Sequence, residues 1–395
     1  MMNTVEIKKG IYWVGAIDWN IRDFHGYKTP YGTTYNAYLV IDEKIALIDT
    51  VKRPFKDEFL ARVKEIVDLD KIDYLVVNHV EMDHSGSFPV VAGMLPNATI
   101  LATEEGREEL QKHFGTTNDI TVVDDGDSIS LGSKTLQFIK TPMLHWPDSM
   151  MSYLVEDHVV FSSDAFGQHI ASSERFNDEV DPSTLYHVAG DYYANILWLY
   201  SPLISRLIER VQSMGIEIDV IAPDHGVIWR DDPTQIVTWY AKWASGAATD
   251  RVVIAYDTMW NSTEKMAKAI AEGIQSEGVA VRLMRLRDTE KSYVITEMLE
   301  SKGVLVGSPT LNNGMYPLVG GFLTYMKGLR PKKKKGAAFG SYGWGGGACA
   351  AIEEMLQDSG IDVVREPLEL KWVPTSEELA SCEEFGREFA RLLKE

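Results

Sequence analysis

Asn78-His79-Val80-Glu81-Met82-Asp83-His84-Ser85-Gly86 puts four groups able to bind a metal into six positions, directly behind the apolar run Tyr74–Val77. That run reads as a buried strand, and a strand end is a rigid base for ligands. While the chain stays extended, His79, Glu81 and Asp83 point to one side, because side chains alternate along a strand; His84 can face elsewhere.

The same placement recurs outward from this stretch. His145, in Thr-Pro-Met-Leu-His-Trp-Pro-Asp-Ser, follows a strand ending at Lys140. Asp164 follows the strand Val159–Ser162, and His225, in Ala-Pro-Asp-His-Gly, follows Ile218–Ala222. Each alone reads equally well as a capping or loop residue; together they feed one edge of a sandwich. Ile11–Ala16, Tyr35–Ile41 and Lys44–Asp49 read as further strands, Pro54–Val67 as a helix, Thr121–Phe161 as strand-rich and Ser183–Met214 as one long helical region. Two strand-rich halves with flanking helices specify an αββα sandwich.

In Trp239–Asp250 the apolar period is lost, which predicts domains at 1–248 and 249–395. Beyond it, strands Val252–Tyr256, Ala280–Met284, Gly303–Gly307, Ala337–Gly340 and Ile361–Glu366 alternate with helices Glu264–Glu277, Leu318–Met326, Ala348–Gln357 and Ser376–Lys394. Alternating units of this length specify a doubly wound parallel sheet, which binds ligands outside the carboxyl ends of its strands.

Three loops fall at that edge. Thr258, Met259, Trp260, Asn261, Ser262 and Thr263, after Asp257, join the first strand to a helix N-terminus, where hydroxyls and free N–H groups suit a dianionic phosphate. Ser308, Pro309, Thr310, Asn312, Asn313 and Gly314 form the second loop. Ser341, Tyr342, Gly343, Trp344, Gly345 and Gly346 form the third, with glycines for close backbone approach and aromatic rings for stacking on a flat cofactor. Gly-Trp-Gly-Gly-Gly-Ala follows the fourth strand, not the first, so it is a weak dinucleotide fingerprint.

Composition narrows the chemistry. With two cysteines in 395 residues, neither a disulfide framework nor a rubredoxin-type iron site is available. Any metal is left to His, Asp and Glu, which suits iron, manganese or zinc. The net charge of −19 argues against nucleic acid; residues 1–250 hold 20 basic against 38 acidic side chains. Lys332–Lys335 run the other way, in a stretch of fifty residues with no acid, and read either as a solvated loop or as a docking patch for an acidic partner. No run is long and apolar enough to span a bilayer, and Met1–Gly10 lacks the apolar core of a secretory signal, so a cytoplasmic location is expected.

The motif His-Val-Glu-Met-Asp-His at 79–84 resembles the His-x-His-x-Asp-His loop of metallo-β-lactamase hydrolases, with Glu81 in place of the second histidine. With Leu-His-Trp-Pro-Asp-Ser at 144–149, Ser-Ser-Asp-Ala-Phe-Gly-Gln-His at 162–169, Pro-Asp-His-Gly at 223–226 and the flavodoxin-like half, the chain resembles the flavodiiron proteins almost end to end. The resemblance implies a metallo-β-lactamase-like diiron domain, a flavodoxin-like domain binding FMN, and reduction of dioxygen to water, nitric oxide to nitrous oxide, or both. It implies that His79, Glu81 and His145 hold one iron, that Asp83 and His225, with His84, hold the other, and that Asp164 bridges them. His25 and Tyr192 or Tyr193 match a histidine and a tyrosine near the gas pocket; His169 can stand behind the ligands, a reading from its position alone. The resemblance also implies a head-to-tail homodimer or a homotetramer. Electrons then come from a separate donor, a rubredoxin-like protein or a reduced deazaflavin. A zinc hydrolase fused to a flavodoxin, and a non-catalytic redox sensor, are the rival readings.

Overall fold

The computed structural model describes residues 4–394; the outermost residues of the two expected domains, 1–3 and 395, lie outside them. The chain forms two compact units. The first runs through Phe24, Thr29–Tyr192 and Pro202–Ala241; the second takes His25–Lys28, Tyr193–Ser201 and everything from Lys242.

The first unit is an αββα sandwich. One sheet orders its strands Val5–Lys8, Ile11–Trp13, Tyr38–Ile41, Ile45–Ile48, Ile72–Val76, Thr99–Ala102 and Ile120–Val122; the other runs Ser128–Ser130, Thr135–Lys140, Met150–Leu154, Val159–Phe161 and Val220–Ala222. Alternation decides what each face buries. Tyr38, Val40, Ala46 and Ile48 point between the sheets, where they meet Phe138, Leu154, Val159 and Phe161. Their neighbours Leu39 and Leu47 point outward and pack with Phe59, Val63, Phe88, Val91 and Leu110 of the covering helices.

Ser183–Met214 is not one helix. Pro182–Tyr192 gives way to a π turn over Tyr193–Leu197 and a 3-10 turn over Trp198–Tyr200 before Ser201–Met214 resumes. The apolar period survives the break, which is why it reads as continuous in sequence.

The second unit carries a parallel sheet in the order Ala280–Arg285, Thr249–Tyr256, Ser301–Pro309, Lys335–Tyr342 and then Asp362–Val363, with Leu368–Lys371 also on Lys335–Tyr342. The order 2-1-3-4-5 reverses direction between the first and third strands and opens the crevice expected there. Of the expected last strand, Ile361–Glu366, only Asp362–Val363 pairs; a further short strand, Leu368–Lys371, follows it, and helix Lys291–Leu299 adds to the predicted set. The lysine run is not a uniform docking patch. Lys334 is buried and donates to the Leu299 carbonyl at 2.9 Å, and Lys335 donates to the Leu392 carbonyl; Lys332 and Lys333 are the exposed members.

Candidate functional site

Five loops at one end of the sandwich converge. Asp49 accepts the Asn78 N–H at 2.8 Å and fixes the chain as it leaves strand Ile72–Val76. The extended alternation then ends at Glu81, not at Asp83 as the sequence pattern predicts. The His84 and Ser85 N–H groups turn back to the Glu81 carbonyl at 2.9 and 2.8 Å, coiling Met82–Ser85 into a helical turn. That turn sends Asp83 and His84 to a different side from His79 and Glu81. Parallel pairing of Phe161 with Ala222 sets the loops of Asp164 and His225 side by side. Gly226 closes its loop at φ 79°, where an added Cβ would collide with Gln168, so no other residue fits that turn.

The side chains form two groups, His79–Glu81–His145–Asp164 and Asp83–His84–His225. Glu81 Oε2 lies 3.1 Å from His145 Nε2 and 3.4 Å from His79 Nε2. Asp83 Oδ2 lies 3.2 Å from His225 Nε2. Asp164 faces both groups: its Oδ2 is 3.1 Å from His145 and 3.3 Å from His79, and its Oδ1 is 3.2 Å from His84 and 3.5 Å from His225.

The donors fit cations. Both Asp83 oxygens, Asp164 Oδ1 and His84 Nε2 are buried without a hydrogen bond, a costly arrangement unless an ion completes it. The His79 and His225 rings present Nε2 inward because Nδ1 is held from behind, whereas His84 Nδ1 has no hydrogen bond. His79 Nδ1 meets Asp148 at 3.0 Å, His225 Nδ1 meets the Thr34 carbonyl at 2.7 Å, and His84 Nδ1 faces Asp224 at 3.8 Å. Burial opposes charge on His79 and His145, yet the carboxylates outweigh it: Asp148 and Asp164 hold the proton affinity of His79 well above the ordinary value, and Asp164 and Glu81 raise His145 to about 9. Burial works against Asp164 too, but His84, His145 and His79 hold it well below the usual carboxylate range. His169 goes the other way, pushed down by burial and by His225; its Nδ1 sits 2.7 Å from Thr33 Oγ1.

Tyr192 packs its buried ring against His169 at 5.0 Å and His225 at 6.0 Å. Tyr193 turns away, stacking on Trp243 at 5.3 Å and pairing its hydroxyl with Ser201 at 2.8 Å. His25 is exposed at φ 49° and belongs to the second unit. Asp148, Asp224 and Asp49 had no assigned role in the sequence reading. Asp148 stands inside the motif Leu-His-Trp-Pro-Asp-Ser, and its spacing of three from His145 was the available signal.

In the second unit a cavity of ≈ 600 Å³ opens at the sheet edge. Its walls are Met259, Trp260, Ser262, Pro309, Thr310, Asn312, Asn313, Ser341, Tyr342, Gly343, Trp344 and Gly345, joined by Trp372 and Val373, which the sequence reading did not single out. Trp372 follows the short strand Leu368–Lys371 and lies 6.0 Å from the Trp344 ring. Thr258, Asn261, Thr263, Ser308, Gly314 and Gly346 are outside the lining. Thr263 bonds Ser341 at 2.9 Å, and Ser308 accepts the Tyr316 N–H at 2.8 Å. Asn261 caps helix Ser262–Ser276 at φ 65°, the left-handed region that favours glycine or asparagine. Thr258 Oγ1 and Asp257 Oδ2 are buried without partners, beside that helix N-terminus. A hydroxyl seeking a partner, a helix start and a flat aromatic-walled cavity together fit a flavin phosphate and ring.

Comparison with known proteins matches residues 33–226 to the family model "ODP family beta lactamase" and 254–386 to "Flavodoxin". A nitric oxide reductase of Moorella thermoacetica is 49% identical over 394 residues, covering 99% of both chains. Among solved structures, the rubredoxin oxygen:oxidoreductase of Desulfovibrio gigas superposes with a TM-score of 0.97 at 44% identity, covering 99% of each chain. The flavodiiron protein of Giardia intestinalis superposes at 0.96 with 36% identity, covering 100% of this chain and 97% of its own. The joined β-lactamase-like and flavodoxin units, matched end to end by these relatives, show that the chain belongs to the flavodiiron protein family.

Proposed function

We propose that this chain is an oxidoreductase that reduces dioxygen, nitric oxide or both at a diiron centre. Dioxygen takes four electrons and four protons to give two waters; two nitric oxide molecules take two of each to give nitrous oxide and water. The observation that carries the reading is Asp164, whose two oxygens face two separate ligand groups. His79, Glu81 and His145 would hold one iron, Asp83, His84 and His225 the other, and Asp164 would bridge. Glu81 adds an anionic donor where zinc hydrolases carry histidine, which favours iron in its higher oxidation state.

When bound, the irons supply electrons and open positions for the gas, and FMN in the aromatic-walled cavity supplies them with electrons. The chain's own residues set the stage. Asp148 and the Thr34 carbonyl orient the His79 and His225 rings from behind. Tyr192 and neutral His169 form a wall beside His225 that adds no positive charge. Burial of the cluster keeps bulk water away.

The electron donor in this reading is a rubredoxin-like protein or a reduced deazaflavin; the two cysteines, both buried, form no rubredoxin-type iron site themselves. Lys332 and Lys333 remain for an acidic donor. A cytoplasmic location fits the absence, among the described residues, of any helix able to cross a membrane. Exposed apolar rims support a head-to-tail homodimer or a tetramer built from it: Trp260 and Trp344 are 85% and 90% exposed at the flavin cavity, and Met82 is 50% exposed between two metal-site carboxylates.

Purified protein should carry a pair of irons and one FMN per chain and turn over with at least one gas. Zinc without iron would favour the hydrolase, and iron and FMN without turnover on either gas would leave a sensor; each outcome refutes the proposal.

A further inference from the structure

Helix Glu104–Phe114 brings a carboxyl without an assigned role to the back of the metal cluster. Thr103 starts the helix by accepting the Gly106 N–H at 3.0 Å, and its hydroxyl donates to the Asp148 carbonyl at 2.9 Å, pinning the helix to the loop of His145. Glu105, Glu109 and His113, spaced one turn apart, lie along that loop. Glu105 pairs with Lys140 at 3.3 Å, His113 stacks on Trp146 at 6.2 Å, and between them Glu109 meets the Asp148 carboxyl.

Glu109 Oε2 is sealed from water, and no N–H or hydroxyl reaches it. Its polar neighbour Asp148 is already an acceptor, taking the Val80 N–H at 2.6 Å and facing His79 Nδ1 at 3.0 Å. Two carboxylates cannot bond to each other unless one carries a proton. Since Asp148 is committed as acceptor, the proton rests on Glu109. Burial of its head, then the Asp148 charge, push its pKa in the same direction, to about 7.

We propose that Glu109 is a positioning residue for the metal centre: as the neutral acid it donates to Asp148 and limits how strongly Asp148 draws the Nδ1 proton of His79. An Asp148 freed of that bond would pull harder, making the imidazole a richer donor that stabilises oxidised iron. The inference rests on the reading of His79 as an iron ligand.

The test compares the full-length wild type with Glu109→Gln, which keeps a donor, and Glu109→Leu, which keeps the bulk and removes it, below pH 7. In iron-loaded protein, redox titration followed by electron paramagnetic resonance should show a negative shift of the iron potential in Glu109→Leu and a near-wild-type potential in Glu109→Gln. In iron-free protein, the His79 Nδ1 resonance in nitrogen NMR should move in Glu109→Leu alone. Equal potentials in all three proteins, or equal shifts in both variants, overturn the proposal. A wild type that takes no iron sinks the metal reading instead, and the iron-free resonance then decides the link from Glu109 to His79: unmoved in Glu109→Leu, it overturns the proposal.

Discussion

At His145 the balance between proton and metal can be followed in numbers. Its pKa rises from 6.5 to about 9, against the pull of burial, because Asp164 and Glu81 sit 3.1 Å away. In iron-free protein the raised pKa makes protonated His145 a source of stability, fully present below pH 6.5 and lost as pH climbs through 9. The stability gap between wild type and His145→Asn, both iron-free, should therefore shrink between those values, as read by urea unfolding at each pH. With iron bound, the proton has been displaced and the wild type should lose this dependence. An iron-free gap that stays constant, or widens with pH, would contradict the ion-pair geometry.

At the scale of elements, Lys334 shows how position outranks composition. In sequence it is one of four consecutive lysines; in the sheet, strand Lys335–Tyr342 begins beside it and it is buried under Leu299 and the Trp198 ring, 5.6 Å away. Desolvation lowers its pKa from 10.5 to about 7. Between those values the unfolded chain holds a proton that the folded one lacks, so stability rises with pH. Lys334→Met should stabilise the protein at pH 7 by roughly 2 kcal/mol, the relief of desolvation less the lost bond to the Leu299 carbonyl. The gain should fade toward pH 10, which denaturant midpoints at the two pH values would reveal. Most strands and several helices were readable from period and turn residues, although helices Glu104–Phe114 and Lys291–Leu299 were not. The turn Met82–Ser85 was not, because three or four residues carry no period; nor was the π turn after Tyr192, which leaves the apolar spacing intact while deciding that Tyr192, not Tyr193, faces His225.

For the whole molecule, the proposed head-to-tail dimer makes a prediction that single chains cannot satisfy. A His79→Ala chain would lack the proposed metal site and a Thr258→Trp chain would block the proposed flavin phosphate loop, so neither homodimer should turn over. A mixed dimer would pair one intact metal site with the partner's intact flavin site and should recover up to about half the activity of a wild-type dimer; no recovery in mixed dimers, with iron and FMN content verified, would refute the arrangement. The two-domain order, the doubly wound sheet, the edge that carries the candidate flavin cavity and the seven candidate ligands were determined by local pattern: apolar period, strand-end placement and residue type, all properties of short stretches. Only the tertiary structure decided how those candidate ligands divide into two groups with Asp164 between them, that Asp148 stands behind His79 and Glu109 behind Asp148, and that Trp372 walls the candidate flavin cavity. Those relations join residues tens of positions apart through sheet pairing and burial, and no local period encodes them.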